Sequence, residues 1–436
     1  MDTQPDLWGG IECTVNRVGD HYFDQVERTG HSARIEDLDQ FANLGLKVLR
    51  YPIIWERCVS RTDGRPDWGW SDARLNRLRQ LHIRPIAGLV HHGSGPRDTS
   101  LVDPAFPYEL ARFARAVAER YPWLDAYTPV NEPLTTARFS TLYGHWYPHS
   151  ADDVRFARAI INQCKAVVLA MQEVRRVNPE ARLVQTEDVG PTFSTPRLAD
   201  QAAFQNERRW ITYDLLTGRL APGMVMWEWL LGVGIAEEEL QWFREQPCPP
   251  DIVGINHYLT SDRFLDERLE RYPGEAPGSN GRDVYVDVAA VRVPGIRAPA
   301  VEESLRAAWE RYERPLAITE VHNGGEVDEQ MRWLHFVWTA ACEARSAGID
   351  IQAVTVWALL GLFDWHCLVT SQQGLYEQGV LDIRSGRPCM TPLARMVHDL
   401  AKSGMHRHPV LTSPGWWKRP DRFLWEPTLD EYVPTG

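Results

Sequence analysis

The sequence predicts an α/β fold, a single (β/α)8 barrel of the TIM type with long loops after its strands. Three observations lead there. Eight short apolar runs alternate with eight longer amphipathic ones between residues 7 and 403, which is the order of repeated βα units. The short runs are continuously apolar, as parallel strands covered on both faces must be. An open doubly wound sheet would need a glycine-rich phosphate turn after an early strand. Gly232-Val-Gly234 lacks the third glycine and lies in an apolar stretch, so the closed barrel is preferred.

In chain order the predicted strands are Leu7–Thr14, Val48–Ile54, Pro85–Val90, Ala126–Val130, Arg182–Glu187, Ile252–Asn256, Leu316–Thr319 and Ile351–Trp357. The helices that follow them are Ile35–Asn43, Asp72–Leu81, Pro107–Arg120, Val154–Val177, Leu198–Leu216, Val301–Tyr312, Glu326–Ala347 and Pro392–Ser403. The fourth helix shows its period best, with Phe156, Ile160, Cys164, Val167 and Met171 on one face. Asp72 and Pro107 are ordinary helix-start residues. The connection Leu259–Pro299, rich in Pro, Gly and Asp, reads as a long irregular loop, and such loops commonly build the site. The barrel is expected over residues 1–405, and 406–436 as an irregular Pro- and Trp-rich tail.

Composition bounds the function. The chain has 436 residues, 44% hydrophobic and 24% charged, with a net charge of −12. An acidic chain is a poor partner for nucleic acid, whose phosphates call for a basic surface. Seven scattered cysteines form no CxxC pair, so neither a zinc site nor a redox motif is expected. Neither a secretory signal nor an 18-residue apolar run is read, and a cytoplasmic protein without cofactor or metal is expected. Tryptophan is abundant, at 18 residues. About half are read as core, and others as flat apolar faces for sugar rings.

Two carboxylates carry the chemistry. Thr128-Pro-Val-Asn131-Glu132-Pro133 is an apolar strand that ends in Glu, stopped by a residue that cannot continue a ladder. Pro315-Leu-Ala-Ile318-Thr319-Glu320 repeats the pattern on the seventh strand. Strands four and seven face each other across a ring of eight, and barrel chemistry sits at the C-terminal mouth. Glycoside hydrolysis commonly needs such a pair, one carboxyl protonated to free the leaving group and one ionised to attack the anomeric carbon. Asn131, beside Glu132, can donate to a sugar hydroxyl.

With these motifs the chain resembles a divergent member of glycoside hydrolase family 1, the β-glucosidase family of clan A. Asn131-Glu132-Pro133 is similar to its acid/base motif. Ile318-Thr319-Glu320 followed by Asn323-Gly324 resembles its nucleophile motif, with Val321 and His322 extra. Trp8-Gly9-Gly10, Arg50-Tyr-Pro-Ile-Ile-Trp55-Glu-Arg57, Gly254-Ile-Asn-His-Tyr258 and Trp357-Ala-Leu-Leu with Phe363-Asp364-Trp365 resemble further family segments in the same order. The resemblance spans roughly residues 7–404. It implies Glu132 as general acid/base and Glu320 as nucleophile, about 5–5.5 Å apart. It also implies that Arg50 holds Glu320 ionised, that Tyr258 donates to the same carboxylate, and that burial keeps Glu132 protonated.

The same resemblance places His91 against a sugar hydroxyl and Trp357 and Trp365 under the ring. Three positions depart from the family: Asn16 stands for a Gln, His92 for a Trp and Asp364 for a Glu. Each change alters reach to a hydroxyl, so a glycone other than plain glucose is expected. Glu12 reads either as a further polar contact or as a buried ion pair with Arg17 or Arg50. The expected substrate is a small glycoside or oligosaccharide, cleaved by an exo-acting retaining β-glycosidase. An endo-acting clan A enzyme and a non-catalytic sugar-binding barrel remain the alternatives.

Overall fold

The computed structural model describes residues 4–59 and 66–425. Eight parallel strands close into a ring: β1 (Asp6–Gly10), β2 (Val48–Pro52), β3 (Arg84–His91), β4 (Ala126–Asn131), β5 (Arg182–Asp188), β6 (Ile252–Asn256), β7 (Leu316–Val321) and β8 (Ile351–Val356). Each pairs with its sequence neighbours, and β1 closes on β8. The outer layer contains α1 (Asp37–Asn43), α2 (Gly69–Gln80), α3 (Phe106–Arg120), α4 (Asp153–Val177), α5 (Ala199–Arg208), α6 (Val301–Tyr312), α7 (Val327–Ser346) and α8 (Pro392–Ser403).

Strand alternation explains how the interior is filled. One residue from every strand meets in a separate apolar cluster: Trp8, Val48, Ile86, Ala126, Val184, Ile252, Ala317 and Ala353. The indole of Trp8 fills space that three alanines leave, which makes a solid floor. Two residues further along the same faces stand Arg50, Thr128, Thr186 and Thr319, all buried. A dry floor below and polar groups above confine the chemistry to the mouth. Gly10 belongs to this upper level because a Cβ there would overlap the Trp357 ring.

Two segments differ from their sequence reading. The connection Leu259–Pro299 is not irregular: Arg263–Asp266, Val284–Ala289 and Gly278–Ser279 join Thr192–Ser194 in a four-stranded sheet. Its core includes Phe264, Tyr272, Val286 and Val288. Strands this short gain a buried face only by pairing with a second loop, so their local pattern is weak. The helix read as Leu198–Leu216 breaks after Arg208 and resumes at Ile211–Leu216, with Trp210 buried 5.9 Å from the Tyr312 ring. Gly232-Val-Gly234 ends a helix, Val225–Gly232, that precedes another, Glu237–Glu245. Of the tail 406–436, residues 426–436 lie outside the described residues. Before them, Trp417 is buried against Trp333, 5.3 Å between rings. No described helix is long and apolar enough to cross a membrane.

Candidate active site

The mouth of the barrel collects side chains from the ends of its eight strands. Register carries part of the placement: His91 pairs with Asn131, Asp188 with Asn256, and Asn256 with Glu320. Strict alternation would send Thr319 and Glu320 to opposite faces. A register shift between Ile318 and Glu320 intervenes, and such irregularities re-aim side chains. Thr319 then donates to Asn256 Oδ1 at 2.7 Å while Glu320 meets Arg50.

Glu132 sits at φ 46°, ψ 67°, in the left-handed region. The residue before a proline is steered away from the right-handed helical region, and Pro133 then starts the short helix Pro133–Ala137. A buried carboxylate, Glu187 on β5, clamps that start. Its Oε2 accepts from Leu134 N at 2.8 Å and from Thr212 Oγ1 at 2.8 Å. Its Oε1 accepts from Thr135 N at 3.4 Å and Thr135 Oγ1 at 3.2 Å. The turn that carries Glu132 is thereby tied to the neighbouring strand.

The two carboxylates have unlike partners. Glu320 Oε1 accepts from Arg50 Nη1 at 2.6 Å, and its Oε2 accepts from the Tyr258 hydroxyl. Arg50 Nη2 donates to Asn131 Oδ1 at 2.7 Å, and Nη1 also to the Thr319 carbonyl at 2.9 Å. Glu132 accepts from the uncharged Asn256 amide at 2.6 Å. Its nearest basic group is His92 Nε2 at 3.7 Å, and burial with the Arg50 charge pushes His92 down to about 3, so it is neutral.

Burial raises both carboxyls. For Glu320, the Arg50 cation and the Tyr258 hydrogen bond work against that rise. For Glu132, the charges of Glu320, Glu187 and Asp188 add to burial and hold it well above the usual carboxylate range. Proton and charge are therefore partitioned, with Glu320 the member that its surroundings favour as an anion.

The other expected contacts divide into two groups. His91 lies flat on Trp357 (5.5 Å, 10°) and 3.3 Å from Asn131 Nδ2; burial, His92 and Arg50 keep it neutral. His92 bonds Thr136 Oγ1 at 2.9 Å and stands edge-on to Trp365, 5.6 Å away. These residues share the mouth with the carboxylates. Asp364 is occupied by the protein itself, and Asn16 in part, its side-chain oxygen having no partner among the described residues. Asn16 lies past β1 in the hairpin strand Val15–Val18, and its amide donates to the Val369 carbonyl at 3.0 Å. Asp364 accepts from Arg28 at 2.5 Å and from the N–H groups of Gln373, Gly374 and Leu375 at 2.8–3.1 Å. Despite burial, those donors hold its carboxyl below the usual range.

Glu12, Asn256 and Glu187 are the members that sequence reading left unassigned or undecided. Glu12 pairs with neither Arg17 nor Arg50. It accepts from Thr14 N at 2.9 Å and the Trp357 indole N–H at 3.3 Å, and it lies 4.0 Å from His91 Nε2. Burial and the Glu320 charge push it up to about 7, against its hydrogen bonds. A charged residue inside the apolar opening stretch was the available signal. Glu187, closing the predicted strand Arg182–Glu187, and Asn256, inside Gly254-Ile-Asn-His-Tyr258, each stood in a segment already noted, but the face each presents is defined only by the closed ring.

The model of glycosyl hydrolase family 1 matches residues 20–378. The chain is 24% identical over 415 residues to thermostable β-glucosidase B of Thermobispora bispora, covering 86% of this chain and 80% of that protein. It is 22% identical over 366 residues to an aryl-phospho-β-D-glucosidase of Bacillus subtilis, 75% of each. Among solved structures, the family 1 β-glucosidase from Thermotoga maritima matches with a TM-score of 0.73 at 17% identity, over 92% of this chain and 99% of that one. With a family model matched over most of its length and the barrel closed as that family requires, the chain belongs to glycosyl hydrolase family 1 and is a glycoside hydrolase.

Proposed function

We propose that the protein hydrolyses β-glycosides by double displacement with net retention, Glu320 attacking the anomeric carbon and Glu132 serving first as acid and then as base. The observation that carries the reading is the asymmetry of the pair. Glu320 holds a guanidinium and a phenol, whereas Glu132 holds one neutral amide. When Glu320 is consumed in the covalent intermediate its charge disappears, which lowers the Glu132 carboxyl and frees it to activate water. Arg50 and Tyr258 stabilise the nucleophile, and Asn131, His91, His92, Trp357 and Trp365 contact the sugar.

The depth of the site supports exo action on small glycosides, since Glu132 is 4% exposed and Glu320 2%. An endo enzyme needs an open groove for both ends of its chain. A glycone other than plain glucose is supported by Asp364, whose carboxylate serves Arg28 and its own loop, and by Asn16, whose amide N–H is taken by the Val369 carbonyl. Seven free thiols support a reducing, cytoplasmic setting.

The test is a panel of aryl β-glycosides with wild type and Glu320→Ala, with and without azide. Rescue of the variant as a glycosyl azide of inverted configuration is expected. Full activity of Glu320→Ala without azide would end the assignment.

A further inference from the structure

Two arginines on the segments that follow β4 and β5 have no anionic partner among the described residues. Arg138 lies on the single π-turn Arg138–Leu142, directly after the helix that Glu132 begins. π-turns inside helices are frequent at functional positions. Its Nε and Nη2 both donate to the Tyr143 hydroxyl, at 3.4 and 3.3 Å. Arg208 ends α5 and is only 8% exposed. Its guanidinium lies over Phe156 at 5.5 Å and Phe204 at 5.8 Å and makes no hydrogen bond with the described residues.

Neither guanidinium forms an ion pair among the described residues, in a chain where carboxylates outnumber cations by 59 to 47. Asp287 is the carboxylate whose charge reaches both, yet it is committed to Arg263 Nε at 2.7 Å. Arg138 has only a phenol for a partner, and the Arg208 guanidinium has no acceptor among the described residues. An incoming anion with several oxygens would satisfy it.

The segments meet. The loop that bears Tyr143 is closed by Asp152 N donating to the Thr141 carbonyl at 3.1 Å, and Asp152 caps α4, where Phe156 carries Arg208. The Tyr143 hydroxyl registers both cations: burial raises it, but Arg138 and Arg208 outweigh that and hold it below the ordinary phenol range. The cluster is tied to the reacting centre through the chain, since the turn of Arg138 follows directly on the short helix Pro133–Ala137 that Glu132 caps. Arg138 feels the charge of Asp188, which acts in turn on Glu132 and Glu320. Glu132, as proton donor to the leaving group, marks the aglycone side, and Arg138 is six residues beyond it.

We propose that Arg138, Arg208 and Tyr143 form a subsite for an anionic group on the aglycone of the substrate. The subsite rests on the glycosidase reading above. Two cations and a hydroxyl suit a carboxylate or a phosphate alike, by charge-assisted hydrogen bonds. Such a subsite acts through binding, so its signature is in KM.

The test compares two aryl β-glycosides on one glycone, 4-nitrophenyl and 3-carboxy-4-nitrophenyl, in wild type, Arg138→Gln and Arg208→Lys. Wild type is expected to favour the carboxylated substrate about 10-fold in kcat/KM, through KM and at low salt. That preference should vanish in Arg138→Gln and survive in part in Arg208→Lys, which keeps the charge. A wild-type ratio at or below one, or the same ratio in Arg138→Gln, would overturn the proposal. Inorganic phosphate supplies an arm independent of turnover. It should raise the melting temperature of wild type more than that of Arg138→Gln, and equal shifts would count against the site. If neither glycoside is cleaved while phosphate still discriminates the two proteins, the glycosidase reading has failed and the anion site stands.

Discussion

Glu187 offers the sharpest test of how the acid is controlled. Glu187→Gln keeps the shape of the side chain and removes its charge. The new amide NH2 will face the Thr135 side, whose contacts of 3.4 and 3.2 Å are the longer pair, and leave the oxygen with Leu134 N and Thr212 at 2.8 Å. The Thr135 hydroxyl can turn to accept, but its backbone N–H cannot, so one half-buried donor loses its partner. That costs about 1–3 kcal/mol of stability. Loosening the turn that aims Glu132 is expected to slow substrates with poor leaving groups about 10- to 100-fold.

The charge has a separate effect. Glu187 is pushed up to about 7 by burial, against its hydrogen bonds, so it is largely neutral well below pH 7 and anionic above. Its anion is one of the charges that raise Glu132. Removing it lowers Glu132, and the alkaline limb of kcat/KM moves to lower pH. The assay is a pH profile on two aryl glycosides, one with a phenol of low pKa that departs unprotonated and one with a phenol of high pKa. The expected result is a shifted limb and a loss confined to the poor leaving group. An unmoved limb with equal losses on both substrates would refute the reasoning and leave Glu187 as a structural cap.

Two further outcomes follow from the same electrostatics. Glu12 has a folded value of about 7 against an ordinary 4.5, so folded chains hold a proton that unfolded chains release between those values. Its stabilising proton is fully present below pH 4.5 and lost as pH rises through 7, a difference of about 3 kcal/mol. Urea unfolding of Glu12→Gln should therefore show its stability relative to wild type improving by up to that amount between pH 4.5 and pH 8; no change with pH would contradict it. Asp364→Ala strands Arg28, whose side chain is 13% exposed, together with three backbone N–H groups. It should cost about 3–5 kcal/mol in thermal or urea unfolding. A stable variant with altered glycone preference would show instead that Asp364 serves the sugar.

Much of the architecture is local information. Continuous apolar runs such as Ile252–Asn256 and periodic ones such as Val301–Tyr312 can be assigned from sequence because each is long enough to bury one face by itself. The positions of Glu132 and Glu320 were legible for the same reason, as acidic residues closing apolar strands that stand opposite in a ring of eight. What lay beyond sequence was every feature that depends on two distant segments meeting. The register shift on β7 re-aims Glu320, the sheet of the β5 and β6 loops exists only as a pair of partners, and Glu187 clamps a helix start 52 residues away in the chain. Asn16 and Asp364 show the same limit from the other side: sequence position offered them as sugar ligands, and only the fold shows the Asn16 amide N–H held by Val369 and the Asp364 carboxylate held by a turn. Strand parity and hydrophobic period are written residue by residue, whereas hydrogen-bond partners and the desolvation that moves a pKa exist only once the ring has closed.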